Sequence, residues 1–387
     1  MTLSSDALLN FCQAELDWQL ETIEALVRIE SPSTDKAAVD RCGVELEQRL
    51  QALVPGGRVR RIPTATAGDI VQASYGPADA PAQVLVLGHF DTVWPIGTLA
   101  RMPLERRDGR LHGPGTFDMK AGIAMAMLAV KALAALAPSL PMRIELLWTT
   151  DEEIGSRASR ALIEQEARKS EAVFVLEPSL PGGVVKTSRK GVGELTLEVR
   201  GLSAHAGIDP TKGASAIHEL ARLITQLEPL NDPARGSSVN VGVIEGGTRS
   251  NVIAEHARAV VDVRVATMAD KERVEGFVRG LDVRDLRSHL TVTGGIDRPP
   301  LERSAGVVRL YEIARVVAGD LGRELGEGST GGGSDGNFTA ALGVPTLDGL
   351  GAVGDGAHAL HEHVEIDSLG WRSALLAGVI ARLAAGR

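Results

Sequence analysis

Three apolar runs, β-branched or leucine-rich, end in residues able to hold a metal ion or move a proton. Val84-Leu85-Val86-Leu87 leads into Gly88-His89-Phe90-Asp91-Thr92, residues 144–149 lead into Asp151-Glu152-Glu153, and residues 172–176 lead into Glu177. Side chains two apart on an extended chain share a face, so His89 and Asp91 can serve one site. A carboxylate beside an imidazole fixes its tautomer and raises its basicity, the usual support for a metal-bound histidine. Taken singly, each feature has a plainer reading: a strand-end histidine bonded to a turn carboxylate, or acids in a solvated loop. Ligands in open α/β sheets, however, bind beyond the carboxyl ends of the strands. His89, Glu153 and Glu177 stand at three such ends.

Two further segments extend the set. Gly113-Pro114-Gly115-Thr116-Phe117-Asp118-Met119-Lys120 precedes an apolar helical stretch, where Asp118 is either a ligand or a helix N-cap. Residues 354–363 form a glycine-rich loop with His358, His361 and His363, and spacing alone does not choose among them. Mixed histidine and carboxylate ligation suits zinc in hydrolytic sites, and two ions about 3.5 to 4 Å apart need a shared carboxylate.

The elements that must position these residues follow from periodicity. Residues 6–30 and 34–53 carry apolar positions at helical spacing and are divided by Ser31-Pro32-Ser33. Strand-like runs at 84–87, 144–149 and 172–176 alternate with helical stretches at 121–136 and 159–167. That alternation predicts an α/β fold, a mainly parallel sheet with helices on both faces. From about Lys190 the texture changes, because residues 194–199 and 257–265 alternate between apolar and polar as strands with one wet face do. Helical stretches at 214–227 and 271–281 follow, so a smaller β-α-β-β-α-β domain of ferredoxin-like α+β type is expected at residues 190–299. Helix 307–317, strand 344–347 and a last helix at 368–385 return to the first texture.

Composition bounds the function. A chain of 387 residues exceeds what one core usually serves, so two domains are expected. Lys+Arg 41 against Asp+Glu 50 gives a net charge of −9, and no basic stripe interleaves with aromatics, which argues against a nucleic-acid partner. Cys12 and Cys42 are isolated thiols that make neither a disulfide framework nor a cysteine zinc site, and fit a reducing compartment. The first residues lack a basic flank, apolar run and cleavage site, and no stretch reads as a membrane span. A soluble, cytoplasmic chain with no membrane partner is expected.

Taken together, Gly88 to Val93, Gly113 to Gly122, Asp151-Glu152-Glu153, Glu177-Pro178, Ala204-His205-Ala206-Gly207 and Gly331-Gly332-Gly333-Ser334-Asp335 form an ordered pattern. It resembles the zinc-dependent aminoacylase and carboxypeptidase metallopeptidases, above all the bacterial glutamate (folate-hydrolysing) carboxypeptidases. The resemblance implies a catalytic di-zinc domain at residues 1–189 and 300–387, with residues 190–299 as a lid that also joins a homodimer. It implies one zinc on His89 and Glu177, another on Glu153 and His358, and Asp118 bridging, with His358 chosen because Glu362 follows it in the loop pattern. Other divalent metals such as cobalt or manganese could take the same ligands. A cis peptide is implied after Asp118, Asp91 would orient His89, and Glu152 would be the general base of amide hydrolysis.

By the same resemblance His205, Asn251 and Arg264 bind substrate, His205 from the partner subunit. Their plainer readings are a turn histidine, a turn asparagine, and an arginine paired with Asp262 on its own strand face. Recognition of a C-terminal glutamate would suit bidentate arginine and serine or backbone donors, here Arg298, Ser188, Lys186 and the loop around Gly332. The chain departs from the pattern in three places: Met119 stands where the glutamate enzymes have an acid, the His358 loop is spaced differently, and no secretion signal is present. Carboxypeptidase, aminoacylase and dipeptidase substrates all remain open, as does a catalytically inactive binding protein on the same fold. An inactive relative should have lost a ligand or the base, and His89, Asp118, Glu152, Glu153, Glu177 and His358 are all present.

Overall fold

The computed structural model describes residues 3–386. The chain divides into two compact units, the second made of Arg189–Glu302 together with Thr330–Gly333 and the first of the remaining described residues.

The first unit is built on a six-stranded sheet in the order Arg58–Ile62, Ile70–Tyr75, Arg143–Thr149, Gln83–His89, Ala172–Val175, Thr346–Leu347. The first two pairings are antiparallel and the other three parallel. Gln83–His89 is buried along its whole length, which is why it reads as a continuous apolar run rather than an alternating one. Val84 and Val86 pack with the helices Ala121–Leu136 and Ile366–Ala385, whereas Leu85 and Leu87 pack with Ile163 of Arg160–Ala167 and Phe338 of Gly336–Ala341. Helices thus cover both faces, as the alternation of strand and helix predicts.

The predicted helix at 6–30 is two helices, Ser5–Ala14 and Leu16–Arg28. They serve different cores: Leu8 and Cys12 join the main cluster, whereas Leu20, Ile23 and Val27 join another with Leu111 and Phe117. The expectation that no stretch is long and apolar enough to span a membrane is corrected by Thr116–Leu136, which passes on length and composition. Most of it is buried inside the protein, because it is the central helix of the core. A small sheet of short strands, Gly354–Asp355, His363–Glu365, Arg110–His112 and Glu105–Arg107, has no sequence signal comparable to the long runs.

The second unit runs Gly191–Arg200, helix Ala216–Leu227, Ser238–Gly246, His256–Val265, helix Met268–Arg279, His289–Arg298, a β-α-β-β-α-β order. Its four strands form an antiparallel sheet in which Ser238–Gly246 and His289–Arg298 are the edges. Alternate residues of Gly191–Arg200 are buried, and Leu195, Leu197 and Val199 pack against Leu220, Leu223 and Leu227.

Candidate metal centre

The first unit gathers two imidazoles around one carboxylate. His89, the last residue of its strand, faces Asp118 Oδ1 through Nε2 at 3.3 Å, and His358 Nε2 faces the other oxygen, Oδ2, at 3.2 Å. Each half has a further acid: Glu177 Oε1 lies 3.5 Å from His89 Nε2, and Glu153 Oε2 lies 3.1 Å from His358 Nε2. Ligand atoms of His89, Asp118 and Glu153 fall within 4.8 Å of one another, as do those of His89, Glu152 and Glu177. Glu152 therefore stands on the His89 and Glu177 side of the cluster.

These donors fit divalent cations. His89 Nε2, Asp118 Oδ1 and Glu153 Oε1 are buried without a hydrogen-bond partner, and all three residues belong to the cluster. Buried polar atoms are ordinarily paired, and three orphans among mixed nitrogen and oxygen donors are what a bound cation satisfies. The electrostatics agree. Burial pushes the His89 imidazole down, but the carboxylates of Asp118, Asp91 and Glu177 outweigh it and hold its pKa well above the ordinary value. Asp118 and Glu153 push His358 up to about 10. Asp118 is held below the usual carboxylate range, its burial outweighed by His358 and His89, while burial and the neighbouring Asp118 raise Glu153. The cluster draws in positive charge.

Local structure aims each candidate ligand. The Asp91 carboxylate is wholly buried, lies 3.3 Å from His89 Nδ1, and accepts from Ser33 Oγ at 2.7 Å and from the backbone N–H groups of Glu152 and Glu153 at 3.4 and 3.3 Å. One acid thus ties the His89 turn to the acidic turn. Asp118 is not a helix cap: the helix Ala121–Leu136 has no side-chain cap, and Asp118 (φ −115°, ψ 94°) and Met119 (φ −136°, ψ 35°) leave helical geometry. The Asp118–Met119 peptide is cis. Met119 is fully buried, and its sulfur receives the His89 backbone N–H at 3.4 Å, which accounts for an apolar residue at this place. Gly122 allows the helix to reach the strand end before Glu177, since a Cβ there would lie 2.2 Å from the Leu176 carbonyl oxygen.

The predicted substrate residues fall in both units, and each unit has its own set. In the second, His205 is exposed, and its Nδ1 accepts from the N–H groups of Gly207 and Ile208 at 3.1 and 3.2 Å. The Asn251 carbonyl accepts from Ala206 N–H at 3.0 Å, which sets the two loops side by side. Arg264 makes the two-pronged pair with Asp262, at 3.0 and 2.8 Å, that its strand position allows, and also reaches the Gly331 carbonyl at 3.4 Å. Arg298 is buried opposite Val192. Gly332 is exposed, and its carbonyl and that of Gly333 accept from Arg189 at 3.2 and 3.0 Å. In the first unit Ser188 is half-buried and Lys186 buried on the strand Val185–Arg189.

Several supporting residues have no local sequence signal. The wholly buried Arg372 guanidinium donates to the carbonyls of Gly349, Gly351 and Gly183 at 2.6, 2.9 and 2.9 Å, and the Gly351 N–H donates to the Glu177 carbonyl at 2.9 Å. Burial lowers the Arg372 pKa to about 9. Asp335 accepts from Thr149 Oγ1 at 3.0 Å and from Ser156 Oγ, bracketing the turn that carries Glu152 and Glu153. Glu362, which the sequence uses only as a spacing mark, is wholly buried and accepts from four donors.

A two-part cluster of candidate metal ligands at the strand ends of a mostly parallel sheet is an arrangement suited to a hydrolase, and comparison gives the family. The chain belongs to peptidase family M20/M25/M40, whose model matches residues 85–382. It is 30% identical to carboxypeptidase G2 of Pseudomonas sp. strain RS-16 across 97% of this chain and 92% of that protein. It is also 31% identical to a succinyl-diaminopimelate desuccinylase of Pseudoalteromonas atlantica, covering 77% of this chain and 83% of that one. Among solved structures, aminopeptidase PepT of Bacillus cereus superposes with TM-score 0.78 at 23% identity over 95% of this chain and 99% of its own. The Bacillus subtilis YXEP protein, described as a dinuclear metal-binding peptidase of the same family, superposes with TM-score 0.66 at 13% identity over 96% and 99%.

Proposed function

We propose that the chain hydrolyses an amide bond with two divalent cations, zinc in the first instance, and releases a C-terminal amino acid, glutamate, from an N-acyl or peptidyl substrate. The observation that carries the reading is the central carboxylate, with each oxygen of Asp118 turned to a different imidazole at 3.3 and 3.2 Å. His89 and Glu177 would hold one cation, Glu153 and His358 the other, with Asp118 between them. When bound, the pair polarises the amide carbonyl and makes water more acidic. Glu152, grouped with His89 and Glu177, takes the proton of the attacking water and returns it to the leaving nitrogen. Asp91 holds the His89 ring by its Nδ1 edge.

The rest of the reading concerns substrate and assembly. Residues 190–299 act as a lid and join a homodimer, with His205, Asn251 and Arg264 contacting substrate, and Arg298, Ser188 and Gly332 receiving its free carboxylates. Two buried free thiols, Cys12 and Cys42, fit a cytoplasmic location. Likeness to carboxypeptidase G2 across 97% of the chain favours a glutamate-releasing activity. A second reading, removal of an acyl group from another amino acid or cleavage of a dipeptide, draws on the likeness to a desuccinylase. Rates on an N-acyl-glutamate, N-acetyl-methionine, an N-succinyl amino acid and simple dipeptides, with and without chelator, separate the two. Preference for the glutamate compound supports the first reading, and indifference to the second carboxylate sinks it. Full activity in chelator removes the metal mechanism.

A further inference from the structure

The buried Glu362 carboxylate takes main-chain donors on both oxygens, and it faces the loop that carries Asp118. Its Oε1 accepts from the backbone N–H groups of Phe117 and Asp118 at 2.9 and 3.0 Å. Its Oε2 accepts from Gly115 N–H at 3.0 Å and from the Trp94 indole at 2.8 Å. The Glu362 carbonyl takes a further N–H, that of Gly113, at 3.3 Å. One residue therefore supplies the partners of four loop amides between Gly113 and Asp118.

Glu362 is also joined to the other ligand of this half. Its own N–H donates to the Ala359 carbonyl at 3.0 Å and the Ala359 N–H to the Gly356 carbonyl at 2.8 Å, so consecutive turns run from Gly356 through His358 to Glu362. His358 has a left-handed backbone, φ 61°, at the centre of those turns. Gly356, φ 84°, packs so closely on the end of the segment that a Cβ would lie 2.8 Å from the Glu362 nitrogen. The loop of Asp118 and the turn of His358 are thereby fastened to each other through one side chain. The His89 ring is held from another side, by Asp91 and Ser33, and Asp91 also accepts from the backbone N–H of Glu153.

We propose that Glu362 is a positioning residue that sets how tightly the half of the centre formed by Asp118, Glu153 and His358 holds its cation. The proposal rests on the two-cation reading given above. Glu362→Gln keeps the size of the side chain but replaces one oxygen with an NH2 group, which would meet two N–H donors head on. The loop must then shift, and with it the angle of Asp118. Outer partners of metal ligands ordinarily change affinity by about 10- to 100-fold when altered.

The test is a competition titration of zinc against a chromophoric chelator on the stripped full-length chain. The parent protein is expected to take two cations, and Glu362→Gln to weaken the cation on the His358 side by about 10- to 100-fold and the one on the His89 side, which shares Asp118, by less. A folded Glu362→Gln protein that binds both cations as tightly as the parent overturns the proposal. A parent that binds fewer than two cations sinks the two-cation reading itself, a distinct result. Should Glu362→Gln not fold, Trp94→Phe decides: it removes one donor and leaves the carboxylate, with an expected weakening of about two- to tenfold, and parent affinity there overturns the proposal. The zinc-induced rise in melting temperature gives a readout that a purely structural role would not move. Loss of packing alone lowers stripped and loaded protein together and leaves the rise unchanged, against the proposal, whereas loss of positioning shrinks it.

Discussion

Glu152→Gln asks whether the first acid of the Glu152-Glu153 pair moves a proton or holds a metal, and the structure places it where either is geometrically open. Its carboxylate groups with His89 and Glu177, while Glu153 faces His358 at 3.1 Å. Five carboxylates, Asp91, Asp118, Glu152, Glu153 and Glu177, surround the centre, and two divalent cations would leave one net negative charge that the substitution removes. Amide and carboxylate have nearly the same volume, so the ligands on either side keep their places. If Glu152 is the base, its loss costs about 10² to 10⁴ in kcat, roughly 3 to 5 kcal/mol of barrier. Cation affinity and stoichiometry should stay within a few-fold of the parent. The assay pairs steady-state kinetics with the chelator titration and runs Glu153→Gln beside it, where cation binding itself should fall. A Glu152→Gln protein that turns over normally, or that loses a cation while Glu153→Gln keeps both, refutes the assignment of roles.

Two further outcomes test the packing beneath the site. Gly122→Ala places a methyl group 2.2 Å from the Leu176 carbonyl oxygen, so the central helix must move off the strand end before Glu177. Chemical denaturation should show a loss of about 1 to 3 kcal/mol, and an unchanged midpoint would contradict the close approach. In the second unit, burial works against the Asp270 carboxylate, but Thr267 Oγ1 at 2.8 Å and Arg235 at 3.0 Å outweigh it and lower its pKa. A depressed folded pKa gives stability that is present above the ordinary value of 3.8 and lost as pH falls through the folded value. Asp270→Asn should therefore destabilise at pH 7 by about 1.5 to 3 kcal/mol, and its difference from the parent should shrink below about pH 4. A difference independent of pH would show that the carboxylate charge is not what the residue contributes.

The parts of the site legible in the sequence are those whose signal is local. His89, Glu153 and Glu177 each follow an apolar run, and a run that ends in a ligand-type residue places it at the carboxyl end of a strand. Asp118 has no such signal, because a helix cap and a bridging ligand look alike from Gly113 to Gly122. What separates them is its twisted backbone, held by Glu362 from far along the chain. His358 among three histidines is undecided by spacing for the same reason, since contacts across the fold orient its turn. The short strands Glu105–Arg107 and Arg110–His112 are too brief and polar to show periodicity, and they form because His363–Glu365 returns beside them. The break at Glu15 lacks proline or glycine, and only the separate cores served by the two helices explain it.

The central claim is that one carboxylate divides two cations between two imidazoles. Crystals of the zinc-loaded protein, measured at the zinc absorption edge, test it most directly through the anomalous difference map. The account predicts two peaks about 3.5 to 4 Å apart, on either side of Asp118, one touched by His89 and Glu177 and the other by Glu153 and His358. A single peak, or peaks that Asp118 does not join, would contradict it.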